Sequence, residues 1–155
     1  MDVTIRRARV SELKIIQDLN HGLFASDGPR DPYLNHQWPY EDGQSYFKKR
    51  LVDPRSICLV AEFKGRILGY LTGSVRKTDS WRPVTRTELE NMFVEDKFRS
   101  QGVGAALVKE FIKWSREKGV RRALVVAYAA NDRAIRFYQK MGFTPLALSL
   151  ETNLS

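Results

Sequence analysis

Between Leu89 and Gly119 the chain reads LENMFVEDKFRSQGVGAALVKEFIKWSREKG, and this stretch decides most of what the fold can be. Leu89, Asn91 and Phe93 alternate with Glu90, Met92 and Val94. That is the period of a β-strand, whose successive side chains face opposite sides. Asp96, Lys97 and Phe98 lead out of it into Arg99-Ser100-Gln101-Gly102-Val103-Gly104-Ala105. Leu107, Phe111 and Trp114, flanked by Val108 and Ile112, then form one apolar stripe at helical spacing. Gly119 suits the end of that helix. The apolar run Ala123 to Ala127 follows and reads as a strand buried on both faces. Strand, helix and strand in that order require a parallel crossover, and hence a sheet that carries helices.

The turn inside this unit has the chemistry of an anion site. The first N–H groups of a helix lack intrahelical acceptors, and the helix dipole adds partial positive charge there. Gly102 and Gly104 carry no Cβ, so a ligand can approach the backbone, and Arg99 adds a full charge. Taken alone, a glycine pair at a helix start fits a plain strand-to-helix turn equally well. Neither G-x-x-x-x-G-K-[ST] nor G-x-G-x-x-G occurs here. What remains is R-x-x-G-x-G, carried by Arg99, Gly102 and Gly104.

The flanking sequence supplies more elements. Val3 and Ile5 suggest a first strand. Ser11 is placed to cap a helix with a Leu13, Ile16, Leu19 stripe, which His21-Gly22 should end. Ala25 to Gly43, rich in Pro, Gly, Asp and aromatics, reads as a long loop, and long loops often carry function. Tyr33, Trp38 and Tyr40 either pack that loop on the body or line a pocket. Gln44 to Val52 reads as a short helix stopped near Asp53-Pro54. Ile57, Leu59, Ala61 and Phe63 alternate, Lys64-Gly65 signals a hairpin, and Ile67 to Val75 continues as its partner strand. Lys77 to Arg86 is a polar loop with Trp81 and Pro83. Asn131 or Asp132 caps a helix whose apolar side is Ala134, Ile135, Phe137, Tyr138 and Met141, and Gly142 ends it. Ala147 to Leu150 reads as a last strand.

With 155 residues, a single domain over 1–155 is expected, in a reducing cytoplasm: Cys58 is the only cysteine, and no signal-peptide core or membrane-length apolar run is present. The net charge of +8 has two readings, a nucleic-acid surface or a basic face that collects an anionic cofactor. The basic residues are dispersed in short clusters such as Lys48-Lys49-Arg50, without a basic tail, which favours the second. His21 and His36 lack metal-ligand spacing, so no metal is expected. No His or acid lies near Cys58 in sequence to make it a nucleophile.

Two segments together, R-x-x-G-x-G and NDRAIRFYQKMGF from Asn131 to Phe143, resemble the two hallmarks of the GCN5-related N-acetyltransferases. The resemblance covers Leu89 to about Phe143; the first eighty-odd residues match only in element order. It implies an α/β (α+β) fold with a mixed, mostly antiparallel sheet flanked by helices, whose two parallel central strands splay to admit acetyl-CoA. It also implies direct transfer of acetyl to an amine in a ternary complex, without an acyl-enzyme. Arg99, Ser100, Gln101, Gly102, Val103, Gly104 and Ala105 would cradle the pyrophosphate, and Met92, Phe93 and Val94 would pair with the pantetheine arm. A bulge near Met92 or Phe93 would free an N–H for the thioester oxygen. Tyr138 would protonate the leaving thiolate and Asn131 would touch the pantetheine; seven residues apart, they project from nearly one helix face. Glu90 would accept the amine proton, with Glu88 on the same strand face as the alternative.

The acceptor is expected to be a primary amine shaped by the two long loops, where Asp27, Asp31, Glu41 and Asp42 either attract a cation or simply solvate the loop. A non-catalytic acyl-CoA-binding module of the same fold is the competing expectation. A homodimer is common for such a fold.

Overall fold

The computed structural model describes residues 1–155. Strands β1 (Thr4–Arg7), β2 (Ser56–Phe63), β3 (Arg66–Val75), β4 (Arg86–Val94) and β5 (Arg122–Val125) form one sheet in that spatial order. Neighbours are antiparallel except β4 and β5, which run parallel. Helix α3 (Val103–Glu117) makes the crossover between them. The expected mixed, mostly antiparallel sheet is present. Lys64 and Gly65 turn β2 into β3 with φ of 49° and 77°, the left-handed pair that matches strand twist in a two-residue hairpin.

Two cores hold the layers. On one face α3 buries Leu107, Phe111 and Trp114 against Ile57, Leu59, Leu71 and Leu89. On the other, α1 (Leu13–Asp27) and α2 (Asp42–Val52) bury Ile16, Leu19 and Phe47 against Cys58, Val60 and Tyr70. Odd and even residues of β2 thus go to opposite cores, and the strand is apolar from Ile57 to Ala61. No helix is long and apolar enough to cross a membrane.

The alternation expected along β4 is interrupted. Thr72 pairs with Asn91 but Gly73 pairs with Leu89, so Glu90 is an extra residue, a β-bulge. Leu89 therefore joins the α3 core, while Phe93 packs on the α1/α2 core and Asn91 reaches Tyr46 of α2. The bulge expected near Met92 or Phe93 lies at Glu90 instead. Gly73 makes room for it: a Cβ there would sit 2.6 Å from Phe111 Cε2 and 2.8 Å from the Glu88 carbonyl oxygen. Gly73→Ala should destabilise the protein by about 1–3 kcal/mol, because backbone and a core ring must both give way. A urea midpoint within error of wild type would refute that packing.

Several element boundaries differ from expectation. Helix α1 passes His21-Gly22 and runs to Asp27. Gly22 is required by packing: a Cβ there would sit 2.8 Å from Phe93 Cε1. Ser11 caps nothing; it lies in a 3-10 turn, Val10–Glu12, where Glu12 accepts the Arg9 N–H at 2.8 Å. Helix α2 begins at Asp42, and Trp38–Tyr40 is a 3-10 turn, so the first long loop is shorter than expected. Strand β5 stops at Val125, and Val126 is 75% exposed, so the run to Ala127 is not buried on both faces. The expected strand from Ala147 to Leu150 is absent; no element follows α4 (Asp132–Lys140). It has no partner strand, and an extended segment without one leaves its backbone groups to water.

Candidate active site

The turn before α3 is built for anions. Ser100 and Gly102 are left-handed, with φ of 60° and 85°. The first backbone N–H in the helix to find an acceptor is that of Ala106, on Gly102 O at 3.0 Å. The N–H groups of Val103, Gly104 and Ala105 are left unpaired, and no side chain caps them. A Cβ at Gly102 would meet nothing within 4 Å, so the approach is open. Successive amides in this conformation form an anion-binding nest. Arg133 of α4 reaches the same turn, donating from Nη2 to Ser100 Oγ at 3.2 Å.

Arg99 does not point its charge into this opening. Its Nε donates to Val94 O at 2.8 Å, Nη2 sits 3.0 Å from Asp96, and the guanidinium lies 5.0 Å from the Phe93 ring centre. It braces the end of β4 against the turn.

The two parallel strands part early. Pairing runs from Arg86↔Arg122 to Leu89↔Val125 and then ends. Met92, Phe93 and Val94 remain paired to β3 on one side, while their β5 side has no strand partner. Apart from Val94 O, which Arg99 takes, this edge can receive an extended amide-bearing ligand as if it were a strand.

Tyr138 stands across this gap on α4. Its ring meets Phe137 and Phe143 edge-on at 5.1 and 5.7 Å and packs on the α3 core. Its hydroxyl makes no hydrogen bond within the chain. Burial, helped by the negative charge of Asp27, pushes the phenol up to about 12. Asn131, at the start of the helix, accepts the Ala134 N–H at 3.1 Å and is an N-cap.

The two glutamates have different surroundings. Arg50 of α2 holds both oxygens of Glu90, Nε at 2.6 Å and Nη2 at 2.8 Å, and stacks over the Tyr46 ring at 4.4 Å. Tyr46 Oη in turn receives Asn91 Nδ2 at 2.9 Å and lies 3.1 Å from Thr72 Oγ1. Glu88 meets only Arg76, at 3.1 Å, and that arginine is half exposed. Burial raises the Glu88 carboxyl above its ordinary range; Arg76 opposes the rise and the charge of Glu90 adds to it.

Of the loop residues, Trp38 packs against Phe24, Tyr46 and Phe47, and Tyr40 donates to Asp18 at 2.7 Å, so both bind the loop to the body. Tyr33 is 81% exposed. Asp31 accepts from Tyr128 Oη at 2.7 Å, and Asp27 is close enough to raise the Tyr138 phenol, so the end of α1 and the loop after it lie over the strand gap. Burial raises the Asp27 carboxyl against the pull of Arg30. Glu41 and Asp42 sit exposed at the start of α2. Cys58 is buried in the α1/α2 core and its thiol is pushed up to about 12 by that burial.

Arg50, Tyr46, Asn91, Tyr128 and Arg133 were not singled out by the sequence. Arg50 lies in Lys48-Lys49-Arg50, which reads as surface charge, and only Arg133 stands inside a recognised motif.

Comparison with known proteins agrees with this architecture. The acetyltransferase (GNAT) family model matches residues 20–143. An uncharacterized N-acetyltransferase of Mycobacterium tuberculosis is 34% identical over 97 residues, 63% of this chain and 58% of that protein. One from Methanocaldococcus jannaschii is 26% identical over 98 residues, 63% of this chain and 43% of that protein. The chain thus spans about half the length of these curated relatives. Among solved structures, a mutant of a Bacillus halodurans protein superposes with a TM-score of 0.83 at 20% identity, covering 98% of this chain and 99% of that one. An aminoglycoside N-acetyltransferase in complex with CoA gives 0.75 at 18% identity, covering 98% and 99%. With the family match spanning most of its length, the chain belongs to the acetyltransferase (GNAT) family.

Proposed function

We propose that this protein is an N-acetyltransferase that moves acetyl directly from acetyl-CoA to a primary amine in a ternary complex. The observation that carries the reading is the alignment of three features along one gap. These are the unpaired amides of Val103, Gly104 and Ala105, the free edge of Met92 to Val94, and the unpartnered Tyr138 hydroxyl. The family relatives named as N-acetyltransferases support it.

In this proposal the nest from Ser100 to Ala105, with Arg133 beside it, receives the pyrophosphate of the cofactor. The β4 edge at Met92 to Val94 would hold the pantetheine amides, and Asn131, whose side chain caps α4, would sit at the helix end nearest that arm. The amine attacks the thioester carbonyl, the tetrahedral intermediate collapses, and the sulfur leaves. Tyr138, held protonated at neutral pH, donates to that sulfur. The acceptor enters under the end of α1 and the loop after it, where the carboxylates of Asp27 and Asp31 suit a cationic amine.

The amine proton goes to the Glu88–Glu90 pair. Glu90 stands where β4 leaves β5, but Arg50 occupies both its oxygens. Glu88 retains a free oxygen and a raised affinity for protons, and we assign it the acceptor role, through water. Its protonation as pH falls removes the base. The acidic limb of kcat/KM should therefore lie above the ordinary glutamate value of about 4.3. Glu88→Gln should lower kcat about 10²-fold and abolish that limb. If Glu90→Gln abolishes the limb and Glu88→Gln does not, the roles are exchanged.

The reaction itself is tested by release of CoA thiol from acetyl-CoA across a panel of amines, with a no-amine control. Amine-dependent release establishes it. Tight acetyl-CoA binding with no release from small amines or peptides would replace it with an acyl-CoA-binding module.

A further inference from the structure

At the end of β4 opposite the anion nest, a cavity of about 470 Å³ opens between the end of α2 and the loop from Lys77 to Arg86. That volume is in the range of small-molecule sites. Its walls are not apolar: Val75 is the one hydrophobic residue among eleven, and six of the eleven are Lys or Arg. Three of these cations are matched within the chain. Arg50 holds Glu90, Arg76 meets Glu88 at 3.1 Å, and Arg86 meets Asp79 at 3.0 Å. Lys49, Arg55 and Lys77 form no ion pair with any side chain. Asp53, the remaining carboxylate of the cleft, accepts the Arg55 backbone N–H at 2.8 Å. Like charges gathered round one opening repel each other, and an anion placed among them removes that cost.

The floor of the cleft leads to the proposed base. Ser56 and Ser74, both buried, face each other across β2 and β3. Their hydroxyls have no hydrogen-bond partner within the chain and are free to donate to a ligand. Ser74 is in turn opposite Glu88 on β4, so the three side chains form one row across three strands. Directly opposite residues have Cβ atoms about 5 Å apart, which sets the two hydroxyls about 5–10 Å from Glu88.

The cofactor does not account for these charges. Its nest follows Val94, whereas the cleft borders Arg86, at the other end of the same strand. At about 3.3 Å per residue the two ends lie roughly 26 Å apart. Asp27 feels the charge of Arg99, which braces the Val94 end of β4. Carboxylates thus lie toward one end of the strand and unpaired cations at the other, with Glu88 and Glu90 between them.

We infer that the acceptor is an amine that also carries an anionic group, a phosphate or a carboxylate, and that Lys49, Arg55 and Lys77 hold this group in the cleft together with the Ser56 and Ser74 hydroxyls. The inference rests on the proposed acetyl transfer and names the class of its second substrate. The amine nitrogen stands at Glu88, and the anionic group lies a short chain away over the serine floor. Two unlike charges on one small molecule then match the two ends of β4, which fixes its direction as well as its affinity. Lys49 lies in Lys48-Lys49-Arg50 on α2, Arg55 just before β2 and Lys77 just after β3, so the cleft exists only once the sheet and α2 have assembled.

The test is thiol release from acetyl-CoA with matched alkyl amines of increasing chain length, each ending in a hydroxyl, a carboxylate or a phosphate monoester. An anionic end should raise kcat/KM at least about tenfold over the hydroxyl end, mainly through KM, and added salt should shrink the gain. The larger of the carboxylate and phosphate gains names the group. Lys49→Glu with Lys77→Glu changes two exposed side chains that have no partner to orphan, and it should abolish or reverse the preference. Lys49→Gln with Lys77→Gln, a milder pair, should leave an intermediate preference. Release from the hydroxyl amines as efficient as from the anionic ones overturns the inference and leaves the proposed transfer standing, as does a preference that both pairs of substitutions leave intact. No release from any amine while acetyl-CoA still binds overturns the proposed transfer, and the inference falls with it.

Discussion

Tyr138→Phe is expected to lower kcat by about 10²- to 10³-fold while acetyl-CoA affinity changes by no more than about threefold. The argument rests on what the substitution leaves alone. The Tyr138 ring keeps its edge contacts with Phe137 and Phe143 and its place on the α3 core. The hydroxyl makes no hydrogen bond within the chain, so removing it orphans no partner and should not destabilise the fold. What is lost is a proton held over the strand gap by a phenol pushed up to about 12. A thiolate leaving without that proton must be stabilised by water alone. Pre-steady-state measurement of thiol release, beside calorimetric titration with acetyl-CoA, separates the two quantities. Unchanged turnover removes Tyr138 from the mechanism. An equal loss of affinity makes it a packing residue for the cofactor.

The unit from β4 through α3 was legible because its signals are local. A glycine-bearing turn and an amphipathic stripe each act within a few residues, and the strand alternation before them holds on either side of the bulge at Glu90. Gly22 shows where local reading fails. A glycine inside a helical pattern reads as a stop, but here its missing Cβ admits the Phe93 ring from a strand seventy-one positions away. Gly43 is similar: a Cβ there would sit 2.5 Å from the Trp38 carbonyl, so it lies in the first turn of α2 for packing. The bulge at Glu90 had no local signal either. It follows from a register shift against Thr72 and Gly73, and its consequence is that Asn91 and Glu90 both reach α2. The Arg50 clamp on Glu90 is likewise a tertiary contact across forty residues. The last strand failed for the opposite reason. The alternation of Leu146, Leu148 and Leu150 is plain in the sequence, but a strand needs a partner as well as a pattern.

Gly102→Asp should weaken acetyl-CoA binding by about 10- to 100-fold, and Gly102→Asn by far less, provided the nest before α3 is the pyrophosphate site. The pair is chosen to separate charge from backbone strain. Gly102 has φ of 85°, where most side chains are disfavoured, but Asn and Asp tolerate the left-handed region better than others. A Cβ at this position meets nothing within 4 Å, so neither residue clashes. Both therefore impose a similar backbone cost, and both side chains can compete for the free N–H groups of Val103, Gly104 and Ala105. Only aspartate also sets a negative charge against the phosphates, at a helix end whose dipole otherwise attracts them. That repulsion is exposed to solvent, so raising the salt concentration should shrink the difference between the two variants. Titration of each with acetyl-CoA at low and high ionic strength measures it. Equal affinities for the two variants at low salt would mean that the phosphates lie elsewhere, and the assignment of this turn would fall with them.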